Sequence, residues 1–360
     1  MQAIVYQVVN IMGGYGSDYD TSTDADVVKK SAASYNIDAG RKYEGNKKAL
    51  PPPVGKILIT KAKLPLVVAV DVTGSMKTYP QMIFEKLCIL YNEILLFLPT
   101  ALRDTFEISF CATGDATCDQ YPLQVTDFAK GRELDHNIQS LFPEGGGGGQ
   151  CCETYELVAY YYARRCEMPS AMKDPRPIFV FIGDEGYYPT LPASGIFGLI
   201  GDKIDADVQS ATIFEELKKK FDTYILRVKY GASDEEKINT IWQEALGKDH
   251  VAIMEDPRRV VDIIIGIVAH AVKQFSLYDD RLFTRQTPEQ VKQVHAALKI
   301  LGIEGAAATT VSMDVKIGTD VKVGKDGEGE GYFCTKCKKM HARGKLFEMH
   351  KEFAKKKRNA

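Results

Sequence analysis

Apolar runs alternate with amphipathic segments along the chain from Pro65 onward. The run PLVVAVD (65–71) is apolar up to its final aspartate, which is typical of a central parallel strand covered on both faces. Similar runs predict strands at 106–112, 177–184, 223–228 and 250–254, and amphipathic spacing predicts helices at 79–98, 132–141, 153–165, 210–221, 234–246 and 257–275.

Strands that alternate with helices form a parallel sheet with right-handed crossovers and helices on both faces. We therefore expect an α/β domain over residues 64–280, built on a doubly wound, mostly parallel sheet. A further helix is predicted at 287–301, where TPEQ provides a capping-box type of start, and this helix and a linker would occupy residues 281–330. Residues 1–63, which are interrupted by Gly, Asp and Pro, are expected to form an extension and linker.

Polar side chains follow two of the predicted strands. Asp71, Thr73 and Ser75 alternate at the end of the first strand, and Asp184 ends another. Between them in sequence, the glycine run 145–149 leads through QCCET into a predicted helix. Ligands bind beyond the carboxyl ends of the strands in an open parallel sheet, so these three loops would bring oxygen atoms to one edge. Carboxylate and hydroxyl oxygens, without histidine or thiolate, are typical of a magnesium, manganese or calcium site.

The stretch Asp71-Val72-Thr73-Gly74-Ser75 resembles the Asp-x-Ser-x-Ser motif of von Willebrand factor A-type (vWA) domains, over roughly residues 64–275. The resemblance implies a vWA fold, which is Rossmann-like, with a metal-ion-dependent adhesion site (MIDAS). In such a site Asp71, Thr73 and Ser75 from the first loop and Asp184 from the third would hold Mg²⁺, or else Mn²⁺ or Ca²⁺. Thr73 replaces the usual serine and keeps the hydroxyl.

The second loop of the family supplies a threonine or, in some branches, a glutamate within a Gly-rich Asp-x-Pro-Glu run. The resemblance therefore implies Glu153 as the ligand from this loop, with Thr154 as the alternative. Gln150 and Cys152 stand where the glutamate-type loop would carry Asp and Pro, so this loop departs most from the family pattern.

The resemblance also implies a function. A MIDAS leaves one coordination position for a carboxylate from a partner, so the expected role is non-catalytic docking of a partner protein within a larger assembly. Intracellular members of the family often work with AAA+ ATPases or in ribonucleoprotein particles, which are therefore the expected kinds of partner.

Two other interpretations of the same residues stay open. The stretch DVTGS could be a strand-to-helix turn in which Asp71 or Ser75 caps the next helix. It also resembles the phosphoaspartate motif of haloacid-dehalogenase-type phosphatases, in which Asp71 would be the nucleophile and Asp184 a magnesium ligand. Against an enzyme, Tyr188 stands where a second metal-binding acid is expected, and the glycine run leading into Glu153 has no role in that chemistry.

The C-terminal stretch YFCTKC has the spacing of a zinc knuckle, because Cys334 and Cys337 can both reach one tetrahedral ion. The twelve residues between Cys337 and His350 resemble the spacing of a Cys2His2 zinc finger, with His341 as the candidate fourth ligand. Residues 331–360 would then form a small zinc-finger-like module that binds Zn²⁺. The alternative is a pair of free thiols in a basic helical tail.

Residues 331–360 hold ten lysine and arginine residues against two glutamates. Such a patch suits phosphate backbones, although a lysine-rich terminus is also commonly a solvated end. The candidate nucleic-acid contacts are Lys338, Lys339, Arg343, Lys345, Lys355, Lys356, Lys357 and Arg358. A nucleic-acid-binding or ribonucleoprotein component is therefore the alternative function.

The whole chain has a formal net charge of -2, with 45% hydrophobic and 26% charged residues, so no overall charge draws it to nucleic acid or membrane. No apolar run reaches the roughly 20 residues that cross a bilayer, and the first residues lack the features of a signal peptide. The eight unevenly spaced cysteines favour free thiols in a reducing compartment. We therefore expect a cytoplasmic protein without a membrane partner, with the nucleus as a further possible location.

Overall fold

The computed structural model describes residues 43–45, 48–147, 151–231 and 234–303, together with the backbone of residues 331–334 and 339–342. The chain divides into two compact units, residues 1–308 and residues 309–360. Within the described residues, the first unit contains the α/β fold and the second contains a β-hairpin.

A six-stranded sheet lies at the centre of the first unit. The strands of this unit are β1 (Leu58–Ile59), β2 (Leu66–Asp71), β3 (Ile108–Thr113), β4 (Leu123–Val125), β5 (Cys152–Glu153), β6 (Cys166–Glu167), β7 (Ile178–Gly183), β8 (Gly186–Tyr187), β9 (Thr190–Leu191), β10 (Val208–Gln209), β11 (Asp222–Arg227) and β12 (Val251–Ile253). The sheet order is β12-β11-β7-β2-β3-β4, and neighbouring strands are parallel except β3 and β4. The chain order therefore reverses between β2 and β7. This doubly wound, mostly parallel sheet confirms the fold class predicted from the alternation of elements.

Helices cover both faces of the sheet. They are α1 (Tyr79–Leu87), α2 (Leu90–Leu95), α3 (Thr100–Arg103), α4 (Glu133–Ser140), α5 (Tyr155–Arg165), α6 (Ala193–Leu199), α7 (Ser210–Lys220), α8 (Glu235–Leu246), α9 (Val260–Ala271), α10 (Phe275–Arg285) and α11 (Pro288–Ile300). Within the described part of the chain, none of the helices is long and apolar enough to cross a membrane.

The two faces of β2 pack into separate hydrophobic clusters. Val68 and Val70 belong to a cluster that includes residues of α1, α2, α9 and α11, whereas Val67 and Ala69 belong to one that includes residues of α5, α7 and α8. All six residues of β2 are buried. Because apolar side chains cover both faces, polar groups on this strand can meet a ligand only at its end.

Helices α10 and α11 belong to the same compact unit as the sheet. Helix α11 begins at the predicted capping box, in which Thr287 and Gln290 each accept a hydrogen bond from the backbone of the other. Helix α10 spans position 280, where the sequence pattern ends the α/β domain. A buried ion pair connects it to α2, because Arg285 Nη1 lies 2.6 Å from Glu93 Oε2. The α/β unit therefore continues through α11.

The second unit contains an antiparallel hairpin of β13 (Gly331–Cys334) and β14 (Lys339–Ala342), in which Tyr332 is in register with His341. The hairpin lies at the start of the predicted zinc-finger-like module. Cys337, His350 and all of the basic candidate residues except Lys339 lie outside the described residues. The zinc module and the nucleic-acid surface therefore stay predictions.

Candidate metal centre

Asp71 is the last residue of β2, at the point where the strand order reverses. Its side chain is fully buried, and Oδ1 accepts hydrogen bonds from the Thr73 N–H over 2.9 Å and from the Thr73 hydroxyl over 2.6 Å. Oδ2 accepts a hydrogen bond from the Tyr155 hydroxyl at the start of α5. The N-cap residues of the 3-10 turn Gly74–Met76 and of α1 are Thr73 and Thr78, not Asp71 or Ser75, which argues against the helix-cap interpretation.

The glycine run packs directly against this first loop. The Gly74 N–H donates to the Gly146 carbonyl over 2.5 Å, and the Gly145 N–H donates to the Val72 carbonyl over 3.0 Å. A Cβ atom on Gly74 would lie 2.9 Å from the carbonyl oxygens of both Gly145 and Gly146. A glycine is therefore needed at position 74 so that the first and second loops can approach each other.

Asp184 follows β7 directly and contacts the first loop. Its Oδ1 accepts a hydrogen bond from the Ser75 hydroxyl over 3.0 Å, and Ser75 Oγ lies 3.2 Å from Thr73 Oγ1. One chain of hydrogen bonds therefore connects Asp71, Thr73, Ser75 and Asp184, as expected from their positions at the ends of neighbouring strands. Arg227 at the end of β11 donates from Nη2 to the Asp184 carbonyl over 3.1 Å and holds this loop in place.

The two candidates from the second loop occupy different surroundings. Glu153 is 2% exposed, and its Oε2 has no hydrogen-bond partner among the described residues. Glu153 lies beside the first loop, since a Cβ on Gly147 would be 3.7 Å from Glu153 Oε1 and 4.0 Å from the Thr73 Cβ. The Thr154 hydroxyl donates instead to the Gly114 carbonyl over 2.6 Å. The geometry therefore favours Glu153 as the ligand from this loop.

Glu185 also reaches the site, although the sequence does not single it out. Its side chain is 4% exposed, and its negative charge contributes to the raised pKa values of Glu153 and Asp184. Consecutive residues of a strand point to opposite faces, so Asp184 and Glu185 would not be expected to converge. Both acids follow the end of β7 at Gly183, so the alternation of a strand does not apply to them.

Two further acids lie in the loop after β3. Asp115 accepts hydrogen bonds from the Thr117 N–H and from the Tyr188 hydroxyl, both over 2.9 Å, and Asp119 accepts one from the Asp115 N–H over 2.7 Å. The negative charge of Asp119 contributes to the raised pKa of Asp71. The sequence contains a signal for these residues, because GDATCD follows a strand that ends at the same edge of the sheet.

Burial raises the pKa of every carboxyl group at the centre of the site. The pKa of Glu153 is raised to about 11 by burial and by the charges of Asp71 and Glu185, and the pKa of Asp184 is raised to about 8 by burial and by Asp71. Burial is also the main reason why the pKa values of Asp71 and Glu185 are raised. Like charges in so small a space oppose full ionisation, and a divalent cation would supply the missing positive charge.

The donor atoms fit a hard divalent cation. Carboxylate and hydroxyl oxygens are the ligands that Mg²⁺, Mn²⁺ and Ca²⁺ prefer, and the buried Oε2 of Glu153 would gain a partner. In the described part of the chain, no group of three or more His, Cys, Asp and Glu side chains is arranged to hold a metal ion by itself. The hydroxyls of Thr73 and Ser75 would therefore have to take part.

No protein-family model and no curated protein matches the chain. Among solved structures, the chain is similar to the pilus adhesin SpaC from Lactobacillus rhamnosus GG, with 11% identity and a TM-score of 0.42 over 62% of this chain and 32% of that chain. It is also similar to proximal thread matrix protein 1 from the mussel byssus, with 10% identity and a TM-score of 0.39 over 60% of this chain and 49% of that chain. A further structure of the mussel protein, described as having a zinc-occupied MIDAS motif, matches with 12% identity and a TM-score of 0.36 over 61% of this chain and 48% of that chain. The aligned part of each of these proteins is between 32% and 49% of its length.

Proposed function

We propose that the protein is a non-catalytic interaction module of the vWA type, which docks an acidic partner through a divalent cation bound at Asp71. The observation that carries this proposal is the chain of hydrogen bonds from Asp71 through Thr73 and Ser75 to Asp184. It joins loops that are far apart in sequence at the reversal point of the sheet, where ligands bind in open α/β sheets.

The residues of the site would have distinct tasks. Asp71, Glu153 and Asp184 would supply negative charge, and the hydroxyls of Thr73 and Ser75 would supply further oxygen ligands. Because Tyr155 donates to Asp71 Oδ2, this carboxylate is held in one orientation towards the first loop. When bound, the cation would neutralise the acids and attract a carboxylate of the partner. Mg²⁺ is the proposed ion, with Mn²⁺ and Ca²⁺ as ions of the same hard character.

The partner would be a cytoplasmic protein that presents an aspartate or glutamate, in an assembly that contains an AAA+ ATPase or a ribonucleoprotein. The basic C-terminal residues would add nucleic-acid contacts in the second case, and these would weaken steeply as the salt concentration rises. A phosphatase is the enzyme alternative. It requires Mg²⁺-dependent hydrolysis of p-nitrophenyl phosphate that is lost in Asp71→Asn, whereas docking requires no hydrolysis by the wild type.

The test of docking measures cation binding and carboxylate binding in the same samples. Binding of Mg²⁺ and Mn²⁺ is measured by titration calorimetry, and binding to an immobilised Glu-rich peptide is measured with cation and with EDTA. We expect Asp71→Ala to lower cation affinity at least about a hundredfold, a loss of roughly 3 kcal/mol, and to abolish cation-dependent peptide binding.

Two further variants distinguish a loss of cation binding from a general effect on folding. Ser75→Ala removes one hydroxyl from a half-buried position and should weaken cation binding in the same direction. Asp205→Ala removes an exposed aspartate and should leave both affinities unchanged. Equal cation affinity in the wild type, Asp71→Ala and Ser75→Ala would rule the site out.

A further inference from the structure

The side chain of Tyr155 connects the candidate metal centre to an aromatic part of the core. Its hydroxyl donates to Asp71 Oδ2, across 84 positions of the chain. Its ring is fully buried and packs edge-on against Trp242 and Phe181, with ring centroids 5.1 Å and 6.0 Å away. Because the phenol is fixed by this packing, the direction of its hydrogen bond to Asp71 is fixed as well.

The other oxygen of Asp71 is directed to the first loop. Oδ1 accepts hydrogen bonds from the N–H and the hydroxyl of Thr73, over 2.9 Å and 2.6 Å. The two oxygens of this carboxylate are therefore held by different partners, Oδ1 by the loop that carries the hydroxyl ligands and Oδ2 by the phenol of Tyr155. Turning both oxygens towards an ion beside Thr73 would require rotation of the carboxylate, which would break the hydrogen bond to the fixed phenol.

Gly183 provides the space for this contact. It is the last residue of β7, and a Cβ atom at this position would overlap the Tyr155 hydroxyl oxygen and lie 3.0 Å from the Asp71 Cβ. Any other residue at position 183 would therefore push the phenol away from the carboxylate or displace the strand. The hydrogen bond thus needs a phenol at position 155 and no side chain at position 183.

We propose that Tyr155 is a positioning residue that makes the site select Mg²⁺ over Ca²⁺. This inference rests on the proposed function and adds the choice of cation to it. Ca²⁺ takes about six to eight oxygen ligands and accepts both oxygens of one carboxylate, whereas Mg²⁺ requires octahedral geometry and retains several water molecules. By holding Asp71 Oδ2 in the core, Tyr155 limits this carboxylate to one oxygen. The site then suits Mg²⁺ and offers Ca²⁺ fewer oxygens than it prefers.

Loss of the phenol hydroxyl has a different effect on each ion. In Tyr155→Phe the ring keeps its packing, but Asp71 Oδ2 loses its partner at position 155 and the carboxylate can turn. A carboxylate that turns offers Ca²⁺ a second oxygen, whereas Mg²⁺ loses the rigid arrangement that octahedral geometry requires. A residue that only supported the fold would weaken the binding of both ions by the same factor. The ratio of the two affinities therefore distinguishes selection of the cation from support of the fold.

The experiment measures the affinities of the full-length protein for Mg²⁺ and for Ca²⁺ by titration calorimetry. It compares the wild type with Tyr155→Phe and with Gly183→Ala, which disturbs the same hydrogen bond from β7. Tyr162→Phe is the matched control, because Tyr162 is another fully buried tyrosine of α5 and its hydroxyl lies 2.7 Å from Ser109 Oγ. The fluorescence of Trp242, the single tryptophan of the chain, checks that the core around position 155 keeps its packing.

We expect Tyr155→Phe to lower the affinity for Mg²⁺ about tenfold, within the range that loss of a hydrogen-bond partner of a metal ligand usually costs. The affinity for Ca²⁺ should stay the same or increase, so the ratio of the two affinities should move towards Ca²⁺ by about tenfold or more. Gly183→Ala should move the ratio in the same direction. Tyr162→Phe should leave both affinities unchanged.

The outcomes separate this inference from the function on which it rests. If Tyr155→Phe binds both ions as the wild type does, or loses affinity for both by the same factor, Tyr155 does not select the cation and docking still stands. A wild type that binds Ca²⁺ more tightly than Mg²⁺ overturns the inference in the same way. If the wild type binds neither ion, the proposed function fails and the inference fails with it. Tyr155→Phe alone decides the question if Gly183→Ala does not fold.

Discussion

At the scale of single residues, the buried acids of the candidate metal centre determine how the metal-free protein responds to pH. The pKa of Asp184 is raised from 3.8 to about 8, first by burial and then by Asp71. Between these values the folded protein keeps a proton that the unfolded chain has lost, so the free energy of unfolding falls as the pH rises. Glu153 acts in the same direction, because its pKa is raised from 4.5 to about 11. We expect the melting temperature in EDTA to decrease as the pH rises through this window.

The same measurement contains its own controls. Saturating Mg²⁺ should reduce the decrease, because a cation binds the charged form of the acids in the folded state. Asp184→Asn removes one titrating group and should flatten the curve, whereas the exposed Asp205→Asn should not change its slope. A melting temperature that increases with pH in EDTA would show that these acids are already charged in the folded, metal-free protein.

Individual site residues differ in how far the sequence predicts them. Asp71 and Asp184 could be proposed because each ends an apolar strand, and the carboxyl ends of parallel strands meet at one edge. Tyr155 could not be proposed as a site residue, because a tyrosine at the start of an apolar helix is usually part of the core. Its hydroxyl reaches Asp71 across 84 positions of the chain, and no local pattern records that contact.

At the scale of elements, the close approach of the first loop and the glycine run makes Gly74 a sensitive position. A Cβ there would lie 2.9 Å from two backbone carbonyl oxygens, which cannot rotate away as a side chain would. We expect Gly74→Ala to lower the free energy of unfolding by about 1–3 kcal/mol through overpacking. Because Thr73 and Ser75 flank the position, calorimetry should also show weaker binding of Mg²⁺.

A second glycine provides the matched control for this prediction. Gly198 lies in α6, and among the described residues no atom is within 4 Å of the position of its Cβ. Gly198→Ala should be neutral or stabilising by about 0.5–1 kcal/mol, because alanine is the better helix former, and cation binding should not change. Equal stability of the two variants would mean that the loops can separate without cost.

Helix boundaries show what local patterns miss at this scale. The pattern at 257–275 predicts one long helix, but α9 ends at Ala271 because Lys273 adopts a φ of 60°. The Gln274 N–H then donates to the Ala269 carbonyl over 2.7 Å, which is a Schellman-type helix end without the usual glycine. The segment 79–98 also divides, into α1 and α2. In both cases the amphipathic pattern continues across the break, because the flanking helices bury residues in the same core.

At the scale of the whole molecule, a buried ion pair connects α10 to the rest of the α/β unit. Arg285 Nη1 lies 2.6 Å from Glu93 Oε2, and both residues are 5% exposed. Arg285→Ala should lower the free energy of unfolding by about 3–5 kcal/mol, because it leaves a buried carboxylate with a weaker partner, Arg281 at 3.7 Å. Chemical denaturation of the full-length chain measures this change.

Two further variants test whether the loss of stability comes from leaving one buried charge without its close partner, and not from the loss of an ion pair in general. The double variant Glu93→Leu/Arg285→Leu removes both charges and should be considerably more stable than Arg285→Ala. Arg164→Ala breaks a half-exposed pair, in which Arg164 lies 2.7 Å from Glu216, and should cost only about 0–1 kcal/mol. If Arg285→Ala lowers the free energy of unfolding no more than Arg164→Ala does, the ion pair of Glu93 and Arg285 does not hold α10 in place.

The amino-acid pattern alone determined the α/β class, the parallel sheet, most of the element positions and the edge at which the metal centre would lie. These features follow from the sequence because each leaves a local pattern. A strand covered on both faces is a continuous apolar run, and a helix with one buried face has apolar residues at helical spacing. The end of such a strand is marked by polar residues that directly follow the apolar run. Only the tertiary structure showed that Glu153 and Thr154 lie in different surroundings, brought the Tyr155 hydroxyl to Asp71, and paired Glu93 with Arg285 across 192 positions. Those contacts depend on the order of the strands and on the exact places where loops leave the sheet, and side chains that meet in this way need share no pattern along the chain.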